Sequence, residues 1–294
     1  MIAPSPVIAG IDFSAASPSV LRHAVHVARR SGAPVVAVHV LDAGGLAHRA
    51  ASGGSNPATD LLLAQARRKM DELIAAEGPG GEVRITLRGG RPAEELQALV
   101  TETGASLLVI AANDLTKKRL GSIASNCVRT APCDVLVIRD WQEDDFARIV
   151  VCVDFSPASS RALERAIALA ADQGSRLEVV HVMYPPSRDI WGEVQDHDAD
   201  SPLSYAEECY EKVNRDMKAF LAPHAVGLAG IEHVPVILES ISSSLALTHH
   251  VQDSGADLVV LGTRGHSRLA SFFIGTNAER LLHDATVSVL AVRV

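Results

Sequence analysis

Short apolar runs alternate with longer amphipathic stretches along the whole chain. In the second half, Arg148 to Val153 is a continuous run rich in β-branched residues, and Pro157 to Asp172 carries apolar residues at helical spacing. Ser156 stands where an N-cap belongs, with Pro157 at the first helical position. The pattern then predicts a strand over Arg176–Met183, a helix over Pro202–Leu221, a strand over Ile231–Leu238 and a helix over Ile241–Asp253. A strand over Asp257–Leu261, a helix over Thr276–His283 and a last strand over Val287–Val294 follow. The first half reads the same way, with strands near 7–12, 35–41, 82–88, 106–111 and 133–139. Unbroken apolar strands separated by helices indicate an α/β fold whose parallel sheet is covered on both faces.

The two halves are copies. Ile11-Asp12-Phe13-Ser14 and Val153-Asp154-Phe155-Ser156 each close the first apolar run, and His39-Val40 and His181-Val182 each end the second, at one shared offset (154 − 12 = 142 and 181 − 39 = 142). Gly104-Ala105 matches Gly255-Ala256 at a slightly larger offset (255 − 104 = 151), and Val135 to Arg139 matches Val289 to Arg293 (289 − 135 = 154). One offset with two small insertions is the mark of a duplication, and repeats of this length make two domains, 1–142 and 143–294, rather than a solenoid. The join, Asp140 to Phe146, is short and has no Gly/Ser stretch, so the domains should touch. Asp42 to Pro57 and Tyr184 to Pro202 are long enough to be lids or disordered segments.

Composition narrows the function classes. Hydrophobic residues at 47% with 21% charged describe a globular chain, and aromatics at 4% leave its cores to Val, Leu, Ile and Ala. No apolar run reaches the roughly 20 residues of a membrane helix, and Met1 to Pro6 has no signal-peptide pattern, so a cytoplasmic protein is expected. The cysteines, Cys127, Cys133, Cys152 and Cys209, fall in no CxxC spacing and read as reduced, mostly buried thiols. Residues 1–142 hold 15 Lys/Arg and 13 Asp/Glu, residues 143–294 hold 12 and 22, and the nets of +2 and −10 sum to the −8 of the chain. An acidic second half argues against nucleic acid as a partner.

The chemistry sits after the fourth strand of the second half. Leu261-Gly262-Thr263-Arg264-Gly265 is followed, after nine residues, by Gly275-Thr276-Asn277, a G-x2-G-x9-G-T pattern. Glycines at a strand end let main-chain N–H groups approach an anion. Gly275-Thr276 opens a helix whose free N–H groups and dipole favour phosphate. Thr276 and Glu279 also spell a capping box, which needs no ligand.

With these residues in place, the chain resembles the universal stress protein family over nearly its whole length, twice. The resemblance rests on Val153-Asp154-Phe155-Ser156, Val180-His181-Val182, Ala256 to Gly262 and Val287 to Arg293. It implies two tandem Rossmann-like domains, each a five-stranded parallel sheet of order 3-2-1-4-5 with helices on both faces. It also implies that the glycine motif binds ATP with a divalent cation, Mg2+ or Mn2+. Gly262, Gly265, Gly275 and Thr276 would then meet phosphate, with Asp154 near the ribose and Val182 at the base. Arg264, His266 and Asn277 flank that site. Single-domain members pair their last strands between subunits. A tandem chain can do so internally and form a pseudo-dimer, and two such chains a homodimer.

The first half departs from the motif. Ala111 replaces the first glycine and Asp114 the second, and the loop to Gly121-Ser122 is shorter, so this copy is expected to keep the fold without ATP. Lys117, Lys118 and Arg119 form a basic turn. His23 with His26, and His249 with His250, lack further ligands for zinc, and no metal is expected from them. His39 and His181 read as structural histidines, and Ser14 and Ser156 as helix caps rather than nucleophiles, since neither lies in a G-x-S-x-G elbow. No general base is placed by a motif. The expectation is an ATP-binding regulator that switches conformation or an unnamed protein partner. A slow ATP hydrolase or nucleotidyl transferase, and a nucleotide-free scaffold, stand as alternatives.

Overall fold

The computed structural model describes residues 4–42, 57–77, 82–112, 120–139, 146–185, 202–263 and 276–293. In the first half β1 (Val7–Gly10), α1 (Ser17–Ser31), β2 (Val35–Asp42), α2 (Pro57–Ala76) and β3 (Val83–Gly90) follow in order. Then come α3 (Pro92–Thr103), β4 (Leu107–Ala111), α4 (Ser122–Thr130) and β5 (Asp134–Ile138). The second half repeats the series as β6 (Arg148–Cys152), α5 (Pro157–Gln173), β7 (Arg176–Met183) and α6 (Pro202–Leu221). It continues with a 3-10 turn (Ala222–His224), α7 (Ala225–Leu228), β8 (His233–Glu239), α8 (Ser243–Ser254), β9 (Leu258–Gly262), α9 (Thr276–Asp284) and β10 (Ser288–Val292). The short α7 and the turn before it are additions that the apolar pattern, too brief there for a period, does not reveal. Gly104 and Gly255, the matched pair of the sequence, end α3 and α8 in the left-handed region (φ 61° and 63°), where a side chain would be strained.

Each half has the order 3-2-1-4-5, and the two five-stranded sheets are one. The ten strands run β3-β2-β1-β4-β5-β10-β9-β6-β7-β8. All neighbours within a half are parallel, and the seam, β5 against β10, is antiparallel with Val137 opposite Val289, Leu136 opposite Leu290 and Val135 opposite Ala291. Leu136 and Leu290 are counterparts in the duplication (290 − 136 = 154), so the pseudo-two-fold passes through that pair. The bonds at the ends of the seam obey the same symmetry. The Arg139 N–H donates to Ser288 Oγ at 3.1 Å, and the Arg293 N–H donates to Asp134 Oδ1 at 2.9 Å.

Alternation along the strands sends residues to two cores. Val7 and Ala9, Leu136, Leu258 and Val260 face one side, under α1, α2, α5 and α6. Ile8, Val135 and Val137, Val259 and Leu261 face the other, under α3, α4, α8 and α9. This distribution follows from right-handed crossovers: connections moving outward from the first strand cover one face and those moving back through the fourth and fifth cover the other. Both cores run through the seam, so the halves share their apolar interior. Among the described residues no helix is long and apolar enough to cross a membrane.

The seam gives a direct test. Proline at Leu290, 5% exposed and paired on both edges, removes a ladder donor and leaves a buried partner unsatisfied, a cost of about 1–3 kcal/mol before strain. Cutting the chain between residues 140 and 145 should leave the two halves together in gel filtration, and Leu290→Pro should release them. Separation of the cut wild-type chain would show that the seam does not hold.

Candidate functional site

In an open α/β sheet the crevice lies where the strand order reverses, at the carboxyl edge. In the second half that is between β6 and β9. The register places Cys152 beside both Val180 and Leu261, so the residues just beyond, Asp154, Val182, Gly262 and Thr263, share one edge. The last bond from the β6 side is the Val153 N–H to the carbonyl of Val180, at 2.9 Å. Main-chain groups two residues apart in a strand point the same way. The N–H and C=O of Val182 therefore point toward the line of β6 beyond its last paired residue, into the crevice.

The turn after β6 is held by its own side chains. Asp154 Oδ1 accepts from the Ser156 N–H at 3.0 Å and from Ser159 Oγ in a short contact, an Asx turn closed by a hydroxyl. Phe155 between them sits at φ 62°, which a non-glycine residue adopts only when its surroundings insist. His181 is what insists. Its ring lies against Phe155 with centroids 4.2 Å apart, and its Nδ1 donates to the carbonyl of Val153 at 2.9 Å. A carbonyl only accepts, so Nδ1 carries the proton. The first half repeats every part: Asp12 accepts from the Ser14 N–H at 2.9 Å and from Ser17 Oγ at 3.0 Å. Phe13 has φ 59° there, and His39 Nδ1 meets the carbonyl of Ile11 at 2.7 Å. Both histidines are thus satisfied structural residues. The roles of Phe155, Ser159 and Thr263 were not read from the sequence, although Phe13 with Phe155 and Ser17 with Ser159 stand at the shared offset. Thr263 is 1% exposed and pins the end of β9 to β10 through its N–H, 3.0 Å from the carbonyl of Val292.

The serines divide. Ser156 caps α5, accepting from the Ser159 N–H at 3.2 Å within a reciprocal capping box. Ser14 does not cap α1: the N-cap is Ala16, no side chain bonds there, and Ser14 Oγ is buried with no hydrogen-bond partner among the described residues. Pro157 follows Ser156 at once and sets helical φ, whereas in the first half proline comes only at Pro18. The chain from Ser14 first makes a turn, with the Ser17 N–H donating to the carbonyl of Ser14 at 3.0 Å.

Gly262 has a reason of its own. A Cβ there would lie 3.0 Å from the main chain and Cβ of Ala158, in the first turn of α5. The missing side chain lets strand and helix approach before any ligand is considered. In the first half the corresponding strand end is Ala111, and α1 begins two positions later in the repeat than α5 (157 − 142 = 15 against 17). Thr276 and Asn277 open α9 as expected. Arg264, Gly265, His266 and Gly275 lie outside the described residues, as do Asp114, Lys117, Lys118, Arg119 and Trp191. The side chains of Thr276 and Asn277 lie outside them too.

Among the described residues no three His, Cys, Asp or Glu side chains are grouped to hold a metal ion. His26 meets Asp172 and His250 meets Glu178 at 2.8 Å. Burial pushes the Cys127, Cys133 and Cys152 thiols up to about 12. The sign follows: above the ordinary 9.0 an unfolded thiol ionises while the folded one keeps its proton, so alkaline pH draws these groups toward the unfolded chain. At about pH 8, iodoacetamide should alkylate Cys209 well before Cys127 and Cys133 in the folded protein, and all four cysteines in urea, read by mass spectrometry. Fast labelling of Cys127 without urea would contradict this burial. His181→Ala and His39→Ala, each leaving a carbonyl without its donor and a left-handed phenylalanine without its stop, should each lower stability by about 1–3 kcal/mol in denaturant melts.

Comparison with known proteins agrees with this architecture. The family described as the universal stress protein family matches the chain twice, over residues 5–139 and 145–293. A protein of Thermus aquaticus, "Universal stress protein in QAH/OAS sulfhydrylase 3'region", is 32% identical over 148 residues, 50% of this chain and 99% of its own length. "Universal stress protein A homolog 1" of Coxiella burnetii is 29% identical over 154 residues, 50% of this chain and 96% of its own. The crystal structure of a universal stress protein from Archaeoglobus fulgidus shares the fold with a TM-score of 0.66 at 19% identity, covering 98% of this chain and 96% of that one.

Proposed function

The chain belongs to the universal stress protein family, and on that footing we propose that its second half binds one ATP with Mg2+ or Mn2+ and acts as a nucleotide-controlled regulator of the stress response in the cytoplasm. One observation carries the reading: the reversal crevice between β6 and β9 has at its lip an exposed carboxylate, an outward-pointing main-chain pair at Val182, and a strand end that runs into the glycine motif. The donor set fits the parts of a nucleotide. An N–H and C=O side by side match the hydrogen-bonding edge of adenine, and the Asp154 carboxylate can accept from ribose hydroxyls. The N-terminus of α9, with the glycines before it, favours phosphate. A divalent cation would supply charge neutralisation among the phosphate oxygens. Arg264, His266 and Asn277 are assigned to flank the phosphates.

The first half has the same turn, Asp12 included, but Ala111 and Asp114 stand in the glycine positions, and a carboxylate near phosphate raises the free energy of binding. We assign it a structural role without nucleotide. Among the described residues no side chain is fixed as a general base, since Asp154 Oδ1 is engaged by the turn and His181 Nδ1 by a carbonyl. Regulation by binding, read by a protein partner, therefore suits the site better than turnover. A homodimer of such chains would use surface other than the seam edges of β5 and β10, which are taken within the chain.

Calorimetric titration with Mg·ATP should give one site per chain, a rise in melting temperature by mass action, and turnover far below a typical enzyme's roughly 10 per second. Gly265→Asp, copying Asp114, should abolish binding with the fold intact. Gly262→Val tests the packing against Ala158 and is not a clean probe. Two equivalent sites, unchanged affinity in Gly265→Asp, or rapid Asp154-dependent phosphate release would overturn the reading.

A further inference from the structure

The duplication gives each feature of one half a counterpart in the other, so a feature filled on one side of the pseudo-two-fold and open on the other is informative. α1 and α5 cross above the seam, and their contacts obey the symmetry. His26 Nε2 meets Asp172 Oδ2 at 2.5 Å and Arg30 Nη1 donates to the carbonyl of Ala168 at 2.6 Å. These are counterpart pairs (168 − 142 = 26; 172 − 142 = 30). On one side of the crossing Phe146 is buried, its ring stacked on His23 with centroids 4.7 Å apart and planes within 7°. On the other side the counterpart of His23 is Arg165 and that of Phe146 is Pro4, which is exposed (165 − 142 = 23; 146 − 142 = 4). There a cavity of about 180 Å³ remains between Val27, Leu107, Leu136, Leu169 and Leu290, with Arg165 in its wall.

The chemistry of this cavity selects a guest. Its charges are compensated: Arg165 Nε donates to Asp134 Oδ2 at 2.7 Å, Asp134 Oδ1 accepts the Arg293 N–H, and Arg30 lies 3.4 Å from Asp172. Apart from Ser106 the remaining lining is aliphatic, which favours an uncharged, mainly apolar body. The cavity is open to solvent on one side, and a space of about 150 Å³ is enough to hold benzene. A guanidinium presents a planar face on which an aromatic ring stacks, as Phe146 does on the imidazole across the axis. We propose that this cavity binds a small uncharged aromatic molecule, of one ring up to the size of indole, which takes on this side of the pseudo-two-fold the place Phe146 holds on the other. Such a guest touches both halves at once and so reinforces the seam. This site is separate from the nucleotide crevice and stands or falls without it.

Indole and cyclohexanol, a body of one-ring bulk without a π face, can be titrated onto the full chain and followed by saturation-transfer NMR and thermal unfolding. Indole should bind with a Kd of about 1 mM or tighter and raise the melting temperature, with cyclohexanol about tenfold weaker. Arg165→Lys keeps a charge beside Asp134 and loses the planar face, so indole should fall to the level of cyclohexanol. Ala168→Phe should fill the space and abolish the response of both. Absence of saturation transfer to indole up to about 10 mM overturns the proposal. Indole binding unchanged in Arg165→Lys, or retained in folded Ala168→Phe, also overturns it, and the first of these needs only the conservative variant.

Discussion

The antiparallel pairing of β5 with β10 is the constraint on which the rest of the molecule depends. Each half ends in a strand buried on both faces, Val135, Leu136 and Val137 in one and Val289, Leu290 and Ala291 in the other. Left as sheet edges, such strands would present unpaired main-chain groups between apolar faces. Pairing them removes both edges and joins two sheets into one of ten strands. The register, centred on Leu136 and Leu290, then fixes the pseudo-two-fold. That axis brings α1 against α5 and lets both cores run through the seam.

Within each half the second organising unit is the turn after the first strand. The Asp-Phe-Ser sequence is repeated because its parts act together: aspartate accepts from the backbone two residues on, phenylalanine turns left-handed, and a histidine from the next strand packs against that ring while donating to the carbonyl just past the strand's end. The histidine could be read as a catalyst from its place at a strand end. Its bond to a carbonyl instead makes it a clamp that keeps the lip of the crevice rigid.

The frame is symmetric and the chemistry on it is not. Gly262 admits the first turn of α5 where the first half has Ala111, and Ser156 caps a helix where Ser14 does not. Arg30 and its counterpart Asp172 meet across the axis at 3.4 Å. Were the two positions identical, as in a dimer of one repeated domain, like charges would face each other there. A tandem chain can diverge position by position and place opposite charges at the axis, one physical advantage of joining the copies covalently.

Much of this was legible in the chain. The apolar runs gave all ten strands, since the inner parallel strands, covered on both faces, must be apolar throughout, while the edge strands β3 and β8 keep enough β-branched and aliphatic residues to be recognised. The shared offset gave the duplication, and the resemblance it supported gave the strand order. The turn residues were visible as a repeated motif, but their roles were not: that Phe155 is left-handed, that His181 clamps a carbonyl, and that Ser14 fails to cap depend on side chains brought together from separate strands or on where a proline falls. Gly262 was read as a glycine that lets main-chain N–H groups approach an anion, while the approach of Ala158 is a distance between a strand and a helix more than a hundred positions apart in sequence. The seam register, the crossing of α1 and α5 and the cavity beside it belong to tertiary structure alone. Sequence periodicity records which residues are buried within an element, and only the packing of elements decides which buried surfaces meet and where one leaves a space.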